Sequence, residues 1–210
     1  MTTGTPAPIS LTKKIASGQK ISLTKENPGL SKIVIGMGWN PRRTDGKAFD
    51  LDAACFLVTA EGKIRSATDM VSYVEGFNTH PSSAVIYTGD NKDGNGDGDD
   101  ETLTVDLALV PADIAKIVFT ASIYCGRTRQ QNFGSVESAY ARLVDATSNA
   151  ELYRFDLSED ASTNTAVILV RLYRNGAEWK FEGVGQGYDG GFKALCAEHG
   201  LEVEEEVDVA

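Results

Sequence analysis

The run beginning at Gly89 reads Gly-Asp-Asn-Lys-Asp-Gly-Asn-Gly-Asp-Gly-Asp-Asp-Glu. Within it the carboxylates of Asp90, Asp93, Asp97, Asp99, Asp100 and Glu101 are opposed only by Lys92. Two carboxylates about 4 Å apart repel by about 4 kcal/mol at an effective dielectric near 20. A tight loop carrying so many would splay, or several pKa values would rise, unless a cation sits among them. The interspersed glycines permit the sharp turns that bring oxygens inward. With oxygen donors only and no His or Cys in the loop, the chemistry selects a hard ion, and the abundance of short anionic ligands favours Ca²⁺ over Mg²⁺.

The stretch Asp93 to Gly98 satisfies the opening of the calcium-loop pattern D-x-[DN]-x-[DN]-G, but the closing position falls on Thr104, where an EF-hand needs a bidentate Glu. The flanks argue the same way. Ala84–Tyr87 before the loop and Leu103–Leu107 after it read as strands, whereas an EF-hand lies between helices. The competing interpretation is a solvated Gly/Asp-rich surface loop. Upstream, Asp50-Leu51-Asp52 precedes the apolar run Ala53–Val58. On a strand, residues two apart share a face, so Asp50 and Asp52 would aim together and complete the coordination begun by the loop. The same pair opens phosphatases that use an aspartyl nucleophile with Mg²⁺, which makes a metal-dependent hydrolase at Asp50 or Asp52 the enzymatic alternative. A third possibility is thiol chemistry on oxidants at Cys125, whose neighbours Arg127 and Arg129 would favour the thiolate. No G-x-S-x-G motif is present. His80, before a proline, and His199, near the C-terminus, read as surface residues, and no catalytic role falls to them.

The elements that must hold these residues are strands. Alternation or apolar runs predict strands at 9–11, 21–23, 31–39, 48–60, 70–74, 83–88, 103–107, 116–124, 139–144, 151–157, 166–174 and 178–185. The longest apolar run, Lys116–Tyr124, is expected at the centre of a sheet. Glu61-Gly62-Lys63 and Asn175-Gly176 are expected hairpin turns. The segment from Gly191 to His199, stopped by Gly200, is the one expected helix. Many short strands and a single terminal helix make the expected fold all-β, a two-sheet β-sandwich with a short C-terminal helix. One domain is expected over residues 9–200, with a flexible N-terminus over 1–8 and a solvated acidic tail over 201–210.

A formal charge of −10 and a pI near 4.7 argue against nucleic acid or an anionic membrane as partner. The cysteines, Cys55, Cys125 and Cys196, are widely spaced and odd in number, the pattern of reduced thiols in a cytosolic protein. No signal peptide and no stretch of membrane-spanning length is visible, so a cytoplasmic location is expected.

Several segments together resemble the TerD family of tellurium-resistance and stress proteins. They are Phe49–Ala53, the acidic run from Thr88 to Glu101, Gln131-Asn132-Phe133-Gly134, Asp156–Asp160, Trp179-Lys180-Phe181, and Gly185–Tyr188. The resemblance extends from about Ile9 to His199. It implies a calcium-binding β-sandwich, made in the cytoplasm under tellurite, oxidative or other stress, with no enzymatic reaction and with two Ca²⁺ ions. The implied ligands fall among Asp50, Asp52, Asp90, Asp93, Asn95, Asp97, Asp99, Asp100 and Glu101, with Glu137 and Asp160 as outer candidates. The chain departs from the family pattern after Ile123-Tyr124-Cys125-Gly126, where an acidic residue is usual, and at Val74-Glu75, often Asn-Asn. Implied partners are other tellurium-resistance proteins, including a membrane-bound one, with self-association as a further expectation.

Overall fold

Burial alternates residue by residue along Glu101–Asp106, as a strand with one face on the core requires, while Leu51–Val58 is buried throughout. The difference is explained by the second layers that cover each sheet. The computed structural model describes residues 12–41, 49–89, 98–157 and 161–204. Its elements in chain order are β1 (Lys13–Ile15), β2 (Lys20–Ile21), α1 (Leu23–Glu26), β3 (Lys32–Pro41), β4 (Leu51–Val58), β5 (Met70–Ser72), β6 (Val85–Tyr87), β7 (Glu101–Asp106), β8 (Lys116–Ile123), β9 (Val136–Asp145), β10 (Glu151–Asp156), β11 (Ala166–Asn175), β12 (Glu178–Tyr188) and α2 (Gly191–Glu198).

Two sheets of six strands form, ordered β1-β10-β9-β3-β7-β6 (sheet A) and β2-β12-β11-β8-β4-β5 (sheet B). This is the expected two-sheet β-sandwich, and β8 lies inside sheet B between β11 and β4, as its apolar run predicts. The main core fills the space between the sheets, with Ile33, Ile35 and Leu103 from sheet A meeting Leu51, Cys55, Phe119 and Leu172 from sheet B. A second, smaller core lies on the outer face of sheet B, where Leu195 and Cys196 of α2 cover Phe56, Val118 and Ile168. Leu201 and Val203 pack on this cluster too, so the first residues after the helix are not the solvated tail the sequence suggests.

Three other differences have local causes. Residues 21–23 do not form one strand: Leu23 turns into the short helix α1, where it is fully buried, and Trp179 N–H is bonded by Thr24 Oγ1 at 3.1 Å. The turn at Glu61–Lys63 closes through Thr59 N–H to Lys63 O at 2.9 Å, but the next strand waits for a 3₁₀ turn over Ala67–Asp69. The expected strand at 9–11 lies outside the described residues. No helix among the described residues is long and apolar enough to cross a membrane.

The antiparallel pairings decide what shares an end of the sandwich. β3 and β10 finish, and β7 and β9 begin, at one end of sheet A, while β4 and β11 begin, and β8 and β12 finish, at one end of sheet B. Phe133 N–H to Asn164 O at 3.0 Å and Gly134 N–H to Ser162 O at 2.7 Å tie the approach to β9 on sheet A to the approach to β11 on sheet B, so the two ends are one end of the sandwich. Asp50 and Asp52 at the start of β4 and Asp99, Asp100 and Glu101 at the start of β7 lie at this end.

Candidate metal centre

The acidic run connects β6 to β7, the strand-to-strand connection its flanks predict. Its exit is tied down residue by residue. Asp100 N–H donates to Met37 O at 2.9 Å, and Asp100 Oδ2 accepts the Trp39 backbone N–H at 2.9 Å. Glu101, 1% exposed, stands in the same inward row as Leu103 and Val105, and the Tyr87 hydroxyl donates to its Oε2. A buried carboxylate needs such donors, because desolvation without them costs several kcal/mol.

Asp99 turns instead onto the outer face of sheet A. Gly36 on β3 sits between Thr102 of β7 and Arg142 of β9, and the Asp99 carboxylate occupies the space a Cβ at Gly36 would take. There Arg142 Nε donates to Asp99 Oδ1 at 2.7 Å, and the Tyr140 hydroxyl lies 3.1 Å from the same oxygen and 2.8 Å from Gly98 O. Arg142 also holds Glu151 at 2.9 Å, and Arg154 stacks over the Tyr140 ring at 3.6 Å. Burial, reinforced by Asp99, pushes the Tyr140 hydroxyl up to about 12, so it stays a proton donor at neutral pH. The hydrogen bond that Arg142 donates to Asp99, with the one to Glu151 adding to it, raises the guanidinium above its ordinary value. The charge that answers Asp99 is therefore a protein cation, Arg142, which no local pattern distinguishes from Arg127 or Arg129.

The Asp50–Asp52 pair comes to the same end by a different route. β4 pairs with β8 from Leu51↔Ile123, and Tyr124 N–H donates to Asp50 O at 2.8 Å. Leu51, Ala53, Cys55 and Leu57 face the main core, so Asp52 shares the outer face of sheet B with Phe56 and Val58. It is buried there, opposite Ser122. Asp52 and Asp99 therefore stand on opposite outer faces of the sandwich. Asp90, Asp93, Asn95, Asp97 and Asp160 lie outside the described residues. Glu137 is on β9, paired with Asn40. Among the described residues no three His, Cys, Asp or Glu side chains converge as a metal-binding group. The described donors suit a hard cation in being oxygen only.

Both histidines are buried, contrary to the sequence expectation. His80 Nε2 is 3.0 Å from Asp69 Oδ1, and its Nδ1 is 2.8 Å from Ser82 Oγ. This Asp-His-Ser chain is closed on itself: Ser82 N–H also bonds His80 Nδ1 at 3.1 Å, Ser82 Oγ accepts Ala84 N–H at 3.2 Å, and Arg65 clamps both oxygens of Asp69. It secures the turn before β6. Burial pushes Asp69 up, but Arg65 and His80 outweigh it and hold the carboxyl at about 2. The spacing Arg65-x-x-x-Asp69 was the available sequence signal, an i,i+4 ion pair. His199 packs its ring on Phe56 at 4.7 Å and faces Gly62 O at 3.2 Å through Nδ1. Cys125, the thiol beside Arg127 and Arg129, is buried in a left-handed turn at φ +52°.

A family model described as the TerD domain matches residues 11–199. The chain belongs to the TerD family. It is 44% identical over 187 residues to the "Tellurium resistance protein TerD" of Serratia marcescens, covering 89% of this chain and 96% of that one. It is 46% identical over 196 residues to "General stress protein 16U" of Bacillus subtilis (strain 168), covering 92% of this chain and all of that one. In fold, this TerD-family chain superposes on the crystal structure of a homologue of telluride resistance protein (TerD) from Streptomyces coelicolor A3(2) with a TM-score of 0.64. That match covers 80% of this chain and 96% of the other at 19% identity.

Proposed function

We propose that this TerD-family protein is a non-enzymatic, calcium-binding, cytoplasmic stress-response protein of the tellurite-resistance type, whose acidic loops, when they hold Ca²⁺, order a surface for protein partners. The observation that carries the proposal is the convergence at one end of the sandwich of Asp50 and Asp52 at the start of β4 and of Asp99, Asp100 and Glu101 at the start of β7. Between these flanks the sequence supplies Asp90, Asp93, Asn95 and Asp97. That Asp52 and Asp99 face opposite outer sides favours two ions over one shared between them. Relatives named for tellurium resistance and for general stress support the biological setting. Partners on this reading are other tellurium-resistance proteins, one of them membrane-bound, or a second copy of the chain.

Calcium supplies charge neutralisation and multidentate oxygen coordination. A ligand present at a hundredfold its Kd stabilises the folded state by about 2.7 kcal/mol, enough to order a loop end and switch an interface. The protein's own contribution is the rigid base: Met37 and Trp39 fix Asp100, Tyr87 fixes Glu101, and Arg142 fixes Asp99. The test is calorimetric titration of chelator-treated protein with Ca²⁺ and, separately, Mg²⁺. Micromolar or tighter Ca²⁺ binding, weakened at least about tenfold in Asp97→Asn, is the expected result. Absence of a calcium heat, or equal affinity in Asp97→Asn, overturns it.

A further inference from the structure

On the outer face of sheet B, beside the C-terminal end of α2, lies a cavity of about 120 Å³. Its floor is apolar, from Val118 of β8 and Ile168 of β11. Two cations, Lys116 and Arg171, line it together with Glu198 and His199 of the helix end. Strand alternation alone would not bring Ile168 and Arg171, three residues apart, to one face. A register shift between Ile168 and Val170, present against both β8 and β12, does so. It leaves Leu169 and Val170 both in the main core, and Arg171 emerges beside Ile168 on the outer side. Gly185 at φ +70° absorbs the matching irregularity on β12. Bulges of this kind recur next to binding sites, where they re-aim a side chain.

The cations are not consumed by the fold. Arg171 Nε stands 3.2 Å from Glu182 but, buried, makes no hydrogen bond among the described residues. Glu182 is itself shared with Lys20 at 3.9 Å. His199 adds no charge at neutral pH, since burial lowers its pKa. Across the cavity Gln186 Nε2 donates to the Tyr188 hydroxyl at 2.7 Å, which completes a wall with an aromatic body and a polar edge.

We propose that this cavity is a binding site for a small organic monocarboxylate, its carboxylate held by Lys116 and Arg171 and its apolar body laid on Val118 and Ile168. A space of about 120 Å³ is well above what a single water needs and admits a small organic ligand. The lining itself sets two cations, Lys116 and Arg171, against one carboxylate, Glu198, and Glu182 beside Arg171 is shared with Lys20, so one surplus positive charge suits a monoanion better than a dianion such as inorganic phosphate. A guanidinium fork and an ammonium suit a planar carboxylate, and the bond is charge-assisted.

Titration of benzoate into isotope-labelled full-length protein, followed by backbone amide shifts at constant ionic strength, tests the site. Saturable shifts at Val118, Ile168, Arg171 and Gln186 with a Kd of about 1 mM or tighter are expected. Lys116→Gln and Arg171→Gln should each weaken binding about tenfold while leaving the dispersion of the rest of the spectrum unchanged. Lys116 is at the first, half-exposed position of β8, so its replacement does not threaten the fold. No saturable shift, equal shifts with benzamidine, equal affinity for inorganic phosphate, or unchanged affinity in Lys116→Gln would each overturn the assignment.

Discussion

Replacing Gly36 by Ala places a methyl group where the Asp99 carboxylate now sits. In an ordinary strand interior that substitution stabilises by roughly 0.5–1 kcal/mol, because glycine carries the larger entropy cost of folding. Here the carboxylate must leave, and with it go the Arg142 Nε bond at 2.7 Å and the Tyr140 contact at 3.1 Å. Hydrogen bonds to charged groups contribute about 1.5–3 kcal/mol each. The Arg142 side chain is 29% exposed and keeps Glu151, so solvent screening and the surviving partner reduce the loss. We expect Gly36→Ala to cost about 2 kcal/mol, or about 4–8 °C in Tm for a chain of this size. The decisive comparison is made in the Asp99→Ala background, where the carboxylate that the methyl group displaces is gone and Gly36→Ala should be neutral or slightly stabilising. Urea unfolding of the four proteins in chelator, monitored by tryptophan fluorescence, measures the coupling, and Trp39, bonded to Asp100, reports from beside the site. The reasoning fails if Gly36→Ala is stabilising in the wild-type background, or if its cost is the same with and without Asp99.

Stability should also fall on mild acidification through His199. Burial lowers its folded pKa, opposed in part by the bond to Gly62 O and by Glu198, while Lys63 and Arg171 lower it further. The unfolded chain therefore takes up the proton first. The contribution is complete above about pH 6.5 and is lost as pH falls toward the folded value, with a slope of at most about 1.4 kcal/mol per pH unit. Urea midpoints measured across this range should flatten in His199→Gln; an unchanged slope would reject the assignment. Asp69→Asn should cost about 3 kcal/mol, because it breaks a buried ion pair and disturbs the support of His80. Since Asp69 titrates from near 4 unfolded to about 2 folded, the wild-type advantage should persist at pH 5 and disappear toward pH 2 in thermal unfolding curves.

Alternation was enough to find most strands. Leu103 and Val105 face inward and Thr102 and Thr104 do not, and Asn175-Gly176 turns β11 into β12 with Gly176 at φ +64°. Alternation fails where a tertiary contact overrides it. Leu23 leaves the strand pattern because a helical turn seats it in the core, and the phase of β11 slips after Ile168 because both neighbouring strands slip with it. Burial of His80 and His199 was equally invisible, since it depends on contacts outside any local period, with Asp69 across β5 and with Phe56 far away along the chain.

By itself the sequence determined the sandwich class, the acidic connection between two strands and the family, because side-chain period, turn chemistry and motif composition are local properties. Only the tertiary structure decided that Asp50 and Asp52 arrive at the same end as Asp99, Asp100 and Glu101, and that Asp52 and Asp99 nonetheless face opposite outer sides. It also decided that Asp99 is answered by Arg142 across the gap left at Gly36. These are matters of strand order and register, and register is settled by cross-strand packing among residues distant in sequence, which no local pattern encodes.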